Sequence, residues 1–289
     1  MIVNIPRGKY VLAVSGGVDS MTLLDLLAQK AGVNVIVAHF NHGVRADAAE
    51  DEQLVARAAQ EYNLPLEVGY GKLGTLASEE DARDTRYGFL ESVSKKTQAM
   101  GIITAHHQDD LIETAFLNIL RGTGRTGLSS IRHSKVYRPL LQIPKKEILA
   151  YAKKNKVQWR EDTTNRDPKY LRNYIRRHIT PGLTGKKKVE IIDNLDKVAK
   201  INKIIDDEIA TLSHLHQANC LDRQAYTMLP AQVGEELLIS WLRQNRLRDF
   251  DKKTIKRLSI VIRTGQPGSK HDIMNGRKLK LTARSADLV

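Results

Sequence analysis

An α/β protein is what this sequence predicts: a doubly wound parallel sheet, a long connector helix, and then a small α+β C-terminal domain. Three observations predict it. Short apolar runs (Tyr10 to Val14, Asn34 to Phe40, Leu66 to Tyr70, Gly101 to Ala105) alternate with longer amphipathic stretches, the pattern of buried parallel strands and crossover helices. Polar clusters at 15–20, 39–45 and 106–110 each follow a strand, and in such sheets ligands sit beyond the carboxyl ends of the strands. Asn275-Gly276 lies between two alternating stretches near the end of the chain, which reads as a β-hairpin. At 289 residues, two domains are expected.

The first strand stops at Ser15, and an amphipathic run, Met21 to Ala31, follows with Leu23, Leu24 and Leu27 at helical spacing. Between them lies Ser15-Gly16-Gly17-Val18-Asp19-Ser20. Its two glycines remove the side chains that would block approach to the backbone. The first turn of the helix offers free N–H groups and a positive dipole end, which suits phosphate. The stretch lacks the lysine of the Walker loop, so it is not that nucleotide site. It resembles the pyrophosphate loop of the ATP pyrophosphatases, which split ATP into AMP and pyrophosphate while adenylating a substrate oxygen.

A helix from about Ala46 to Tyr62, closed by Asn63 and Pro65, precedes the third strand. Glu79 to Met100 reads as a helix carrying Arg83 and Arg86. The fourth strand runs into His106, and its helix carries Glu113 and Thr114 and ends near Arg121. Gly122 to Gly127 matches the dinucleotide fingerprint G-x-G-x-x-G, but it follows a helix instead of a strand and opens no helical pattern. It reads as a substrate-facing loop, with Arg121 and Arg125 as phosphate contacts. Lys145 to Lys154 is helical. Pro181 and the run Gly185 to Lys188 mark a boundary, and Lys188 to Leu215 is one long helical pattern. Helices near Ala231 to Gln244 and Lys252 to Ile262 complete the chain before the hairpin.

Formal net charge is +13. Residues 132–188 hold 17 Lys and Arg against 4 Asp and Glu, while the remainder balances at 29 of each. The whole imbalance therefore lies in one segment, the footprint of a partner with a phosphate backbone. The one cysteine, Cys220, excludes an intramolecular disulfide. No signal peptide or membrane-spanning run is visible, so cytoplasmic residence is the expectation.

His106, Asp109, Asp110 and Glu113 cluster where the fourth strand meets its helix, with Asp110 and Glu113 spaced to share a helix face. Carboxylates beside a pyrophosphate loop suit magnesium, which takes one or two of them plus phosphate oxygens and water. Zinc ranks well below it, with no cysteine near. The structural alternatives are helix capping by Asp109 and Asp19 and a core role for His106. Arg83 and Arg86 offer fixed positive charge to phosphates, or else form a solvated face beside Glu79, Glu80, Asp81 and Asp84; Arg45 is open in the same way.

Ser15 to Ser20, His39-Phe40-Asn41-His42-Gly43-Val44-Arg45, Arg83 with Arg86 and Tyr87, His106-His107 with Asp110, Glu113 and Thr114, Arg121 to Gly124, Arg138-Pro139-Leu140, Asp162 with Thr164 and Asn165, and Arg172-Asn173 with Arg176 occur in this order. Together they resemble the tRNA(Ile)-lysidine synthase family. The resemblance implies adenylation of the C2 oxygen of the wobble cytidine in a CAU anticodon. Attack by the ε-amine of free L-lysine follows, releasing AMP and changing the codon read from AUG to AUA. It implies that Ser15, Gly16, Gly17, Val18, Asp19 and Ser20, with His39 and Phe40, bind ATP. It further implies that Asp19 and Asp110 hold Mg2+, that Asp19, Arg83, Arg86, His106 and Asp110 serve the chemistry, and that Arg172, Asn173 and Arg176 bind tRNA(Ile). The amine must attack as neutral lysine, with His106 or a carboxylate as base.

The domains expected are 1–185 for nucleotide binding and catalysis, with 132–188 facing tRNA, 186–216 as connector helix, and 217–289 as a small C-terminal tRNA-binding domain. Longer members of that family carry a further C-terminal domain, and this chain shows one small one. The oligomeric state is open, a homodimer included. The nearest rival in the same fold is a tRNA thiolase, which needs thiolates near the adenylated base; Cys220 stands alone and outside the nucleotide domain. NAD synthetase has no need of the confined basic segment. A non-catalytic tRNA-binding protein has no need of the intact loop beside His106, Asp110 and Glu113.

Overall fold

β1 (Gly8–Ala13) lies at the centre of a parallel sheet of order β3-β2-β1-β4-β5, with β2 at Val33–Asn41, β3 at Leu66–Tyr70, β4 at Gly101–Ile103 and β5 at Val136–Tyr137. Crossovers through α1 (Val18–Ala28), α2 (Ala48–Glu61) and α3 (Glu79–Lys96) link the first four strands. α4 (Gln108–Leu120) and the short α5 (Arg125–Leu128) precede β5. Sequence periodicity missed β5, because two residues are too few to show a period. The computed structural model describes residues 1–41, 43, 48–71, 79–128, 136–161, 171–247, 250–274 and 276–289. His42, Val44, Arg45, Asp162, Thr164 and Asn165 of the motif series lie outside them.

Alternation along the strands divides the apolar side chains between two faces. Tyr10, Leu12 and Val14 pack with Val35 and Val37 against Leu23, Leu24 and Leu27 of α1. Val11 and Ile102 face the other way, with Ile36, Leu90 and Val93. Helices therefore cover both faces, which is why the strands read as continuous apolar runs. Behind α1, the buried Asp25 carboxylate accepts hydrogen bonds from Tyr62 (2.6 Å), Tyr151 (2.7 Å) and Gln29 (3.0 Å). This cluster ties α1 to the end of α2 and to α6 (Lys145–Lys154).

Leu111, Ile112 and Ala115 of α4 pack on Leu141 and on Ile192 and Leu195 of α8 (Gly185–Thr211). Before α8, α7 (Leu171–Tyr174) runs into a π-helical turn, Ile175–Ile179. The chain divides into two compact units, Met1–Thr123 with Gly127–Leu195, and Gly124–Thr126 with Asp196–Val289. The division falls within α8, inside the stretch 186–216 expected to connect.

In the second unit, β6 (His216–Gln217), β7 (Cys220–Asp222), β8 (Lys270–Met274), β9 (Arg277–Leu281) and β10 (Ser285–Leu288) form an antiparallel sheet of order β6-β7-β10-β9-β8. α9 (Arg223–Met228), α10 (Ala231–Gln244) and α11 (Lys252–Thr264) share with it a core centred on Tyr226, Trp241, Leu258 and Leu281. β8 and β9 are the expected hairpin; Gly276 has φ +76°, and Asn275 lies outside the described residues. No helix among the described residues is long and apolar enough to cross a membrane.

Candidate active site

β1 has β2 on one side and β4 on the other, so the order of connection reverses at β1/β4, and a crevice opens at the carboxyl ends of these strands. A cavity of about 370 Å³ occupies it. Ser15, Gly17, Asp19 and Ser20 line it after β1; His39 and Phe40 line it from β2, His106 and Asp110 after β4, and Arg86 from α3. The three polar clusters are thus gathered by strand order.

Within the loop, Ser20 Oγ donates to the Gly17 carbonyl (2.9 Å) and accepts from the Ser15 N–H (3.1 Å). Gly16 has φ +87°, where any other side chain is strained, and a Cβ there would lie 3.4 Å from Asp51 Cβ. The Arg160 N–H donates to the Gly16 carbonyl (3.0 Å), and its guanidinium pairs with Glu50 and, at 3.0 Å, with buried Asp51. The loop is therefore clasped from α2 and from the segment after α6. No side chain caps α1, whose N-cap is Gly17, so its first N–H groups remain available to an anion.

Charges gather where three helices begin. Asp19 of α1 takes the Lys145 ammonium of α6 on both oxygens (2.5 and 2.6 Å). His107, the N-cap of α4, brings Nε2 to 3.7 Å from Asp19 and 3.5 Å from Asp110, and its backbone N–H donates to Asp110 (2.9 Å). Arg176 forms a two-pronged pair with Glu113 (2.9 and 2.8 Å) and reaches Asp110 at 3.4 Å.

These surroundings set the protonation states. Burial pushes the Asp110 carboxyl up, but His107, His106, the His107 N–H and Arg176 together hold it below its ordinary value. Glu113 is raised, its burial prevailing over Arg176. Burial lowers His106 to about 4, with Arg138, Arg86 and Arg83 adding to the effect and Asp110 opposing it. His106 is therefore a neutral imidazole at neutral pH, with Nδ1 2.7 Å from the Thr104 hydroxyl.

The expected residues do not all share the cavity. Buried His39 bonds through Nδ1 to the Val14 carbonyl (2.8 Å), joining the ends of β2 and β1, and Phe40 packs on Phe89. Arg86 lines the cavity, while Arg83 is exposed, with its guanidinium 5.0 Å from the Tyr87 ring centre. Arg172 donates to Thr114 (3.0 Å) and Arg176 pairs with Glu113, so both turn toward α4, and Asn173 between them is buried. Tyr174, Arg177 and His178 are exposed, as is Leu171, with the Tyr174 and His178 rings 4.7 Å apart. Arg125, expected as a phosphate contact, pairs with Asp206 and Glu236 of the second unit, each at 2.8 Å. A four-residue helix places it there where a free loop was expected.

Sequence reasoning passed over His107, Lys145, Asp51 and Arg160. His107 stood in view within the His106-His107 pair. Lys145 lies 126 residues from Asp19, and no local pattern marks it. Asp19 and Asp110 converge on one imidazole, a donor set that suits magnesium, which needs few carboxylates when phosphate oxygens complete its shell. Among the described residues, no group of three or more His, Cys, Asp and Glu gathers as a ready-made metal cage.

The chain is similar to known proteins. The PP-loop domain family matches residues 1–183. The tRNA(Ile)-lysidine synthase of Thermotoga maritima is 39% identical over 189 residues, covering 61% of this chain and 46% of that protein. That of Chlorobaculum tepidum is 33% identical over 289 residues, covering 92% of this chain and 83% of that protein. The chain thus spans under half the length of the first and most of the second. Among solved structures, a U34-tRNA thiolase from Methanococcus maripaludis, determined with its 4Fe-4S cluster, superposes with a TM-score of 0.56 at 19% identity over 66% of this chain and 72% of that one. That likeness is one of fold.

Proposed function

The chain belongs to the tRNA(Ile)-lysidine synthase family of PP-loop proteins, and from that premise we propose that it ligates L-lysine to C2 of the wobble cytidine in the CAU anticodon of tRNA(Ile). The C2 oxygen attacks the α-phosphorus of ATP, the bond to the β-phosphate oxygen breaks, and pyrophosphate leaves. The ε-amine of lysine then attacks C2, the C2–O bond breaks, AMP leaves, and the amine loses a proton.

The observation that carries this reading is the cavity at the β1/β4 reversal, where an uncapped helix N-terminus, Asp19, Asp110 and the neutral His106 face one space. Backbone N–H groups from Ser15 to Ser20 receive the phosphates, and His39 and Phe40 form the wall beside them. Asp19 and Asp110 are the residues to hold Mg2+, which supplies neutralising charge to the pyrophosphate leaving group. Arg86 presents fixed positive charge from α3, with Arg83 one turn behind at the surface. His106, at about 4, is a far weaker base than an amine, so its neutral ring serves as a hydrogen-bond partner in the cavity more than as the final proton acceptor.

We assign nucleotide chemistry to residues 1–185, tRNA contact to the basic stretch 132–188 and to the C-terminal domain 217–289, and the connector to 186–216. In the tRNA-facing stretch, Arg172, Asn173 and Arg176 fix the frame from behind. Arg176 acts through Glu113, while Tyr174, Arg177 and His178 present the outer surface. Cytoplasmic residence goes with the substrate. Sulfur transfer has little to work with, since Cys220 is the one cysteine of the chain and iron–sulfur chemistry needs several thiolates.

The test is the mass of a CAU-anticodon tRNA(Ile) after incubation with ATP, Mg2+ and labelled lysine. The expected result is a mass gain of one lysine residue at the wobble cytidine, with AMP and pyrophosphate in equal amounts. An unmodified tRNA with wild-type protein overturns the reading.

A further inference from the structure

We propose that Lys145 is a polyphosphate-binding residue, parked on Asp19 until nucleotide arrives; this rests on the nucleotide reading above. Lys145 is the first residue of α6, directly after Pro144, and no side chain caps that helix. A cation at the positive end of a helix is disfavoured by the dipole, so helix stability alone gives no reason for one there. What holds the ammonium is Asp19, which takes it on both oxygens.

Asp19 stands in the first turn of α1, the uncapped helix that follows the glycine loop. Two bare helix starts therefore meet at one Asp–Lys pair, of which Asp19 lines the cavity. Two positive helix ends and an ammonium meet at the Asp19 carboxylate, with His107 beside it and Asp110 close to the same imidazole. Helix starts and an ammonium gathered in this way are groups that a chain of phosphates would engage.

The pair is built to open. The Lys145 side chain is 31% exposed and Asp19 28%, so neither carries the locked geometry of a buried bridge. A four-carbon stem swings an ammonium through several ångströms without moving its helix. When Asp19 turns to the cation that accompanies the phosphates, Lys145 loses its partner, and the nearest new anions are phosphate oxygens held at the start of α1. The same lysine thus satisfies Asp19 in the empty site and grips the β- and γ-phosphates in the filled one. AMP, which lacks them, gives it nothing to grip.

The experiment is calorimetric titration of the full chain with ATP and with AMP, in Mg2+ and without tRNA or lysine, for wild type, Lys145→Met and Lys145→Arg. Lys145→Met should weaken ATP binding about tenfold or more, the worth of a lost charged hydrogen bond, and leave AMP binding unchanged. Lys145→Arg should recover most of the loss. Wild-type ATP affinity in Lys145→Met overturns the proposal. So does an equal loss for ATP and AMP together with a lowered unfolding midpoint, which would mark Lys145 as a structural bolt. Failure of the wild type to bind ATP would remove the nucleotide reading itself, and the proposal with it.

Discussion

Replacing Arg176 with alanine separates a residue that grips tRNA from one that holds the catalytic helix. Its guanidinium makes two hydrogen bonds, at 2.9 and 2.8 Å, to Glu113, whose side chain is only 2% exposed. Removing one partner of a buried ion pair costs about 3–5 kcal/mol, because the other charge is left without compensation. Two features reduce that here. Arg176 is itself 36% exposed, and Glu113, already raised by burial, can take up a proton. The expected loss is therefore about 2–3 kcal/mol, or a fall of roughly 5–10 °C in midpoint for a unit of this size. Because Arg176 also reaches Asp110, pyrophosphate release should fall with it. Urea unfolding of the full chain measures the first effect, and ATP–pyrophosphate exchange measures the second. The salt dependence of tRNA binding should stay as in wild type, since no phosphate contact is lost. Wild-type stability with a salt slope flattened by about one unit would refute the reasoning and make Arg176 a direct phosphate contact.

Asp19→Ala should abolish ATP–pyrophosphate exchange while tRNA binding, read by filter retention, stays within about twofold, because loop and basic stretch do different work; wild-type turnover in this variant would remove Asp19 from the site. His106, held at about 4 against an ordinary 6.5, gives a stability contribution present in full above pH 6.5 and lost as the pH falls toward 4, since the unfolded chain binds the extra proton in that window. His106→Asn should flatten that part of the stability–pH curve, whose slope from one proton is at most about 1.4 kcal/mol per pH unit; superimposable curves would show that the ring is not held neutral. Cys220→Ser, at an exposed position, should retain full lysine- and ATP-dependent modification of a CAU-anticodon tRNA(Ile), and a folded but inactive serine variant would bring sulfur chemistry back.

Local physics explains how much could be read from the chain. The class of fold was legible because strands buried on both faces must be apolar throughout, and helices packed on a sheet must carry an apolar stripe. Ser15 to Ser20 was legible because a backbone meant to touch phosphate needs small residues and a fresh helix start. The clusters after β2 and β4 were legible because parallel strands all deliver their carboxyl ends to one edge. Between-element partnerships left no such trace. Nothing in Pro144-Lys145-Lys146 says that one ammonium lies on Asp19, or that Arg176 spends its guanidinium on Glu113 while Tyr174 and His178 are exposed. Arg125 reads as a loop cation, and its carboxylates come from Asp206 and Glu236, far along the chain. Periodicity and backbone chemistry are short-range, so the sequence alone determined the strands, the loop and the edge where chemistry collects. Pairing between side chains depends on which elements pack together, and only the tertiary structure decided which charges meet, which are neutralised, and which remain for the substrate.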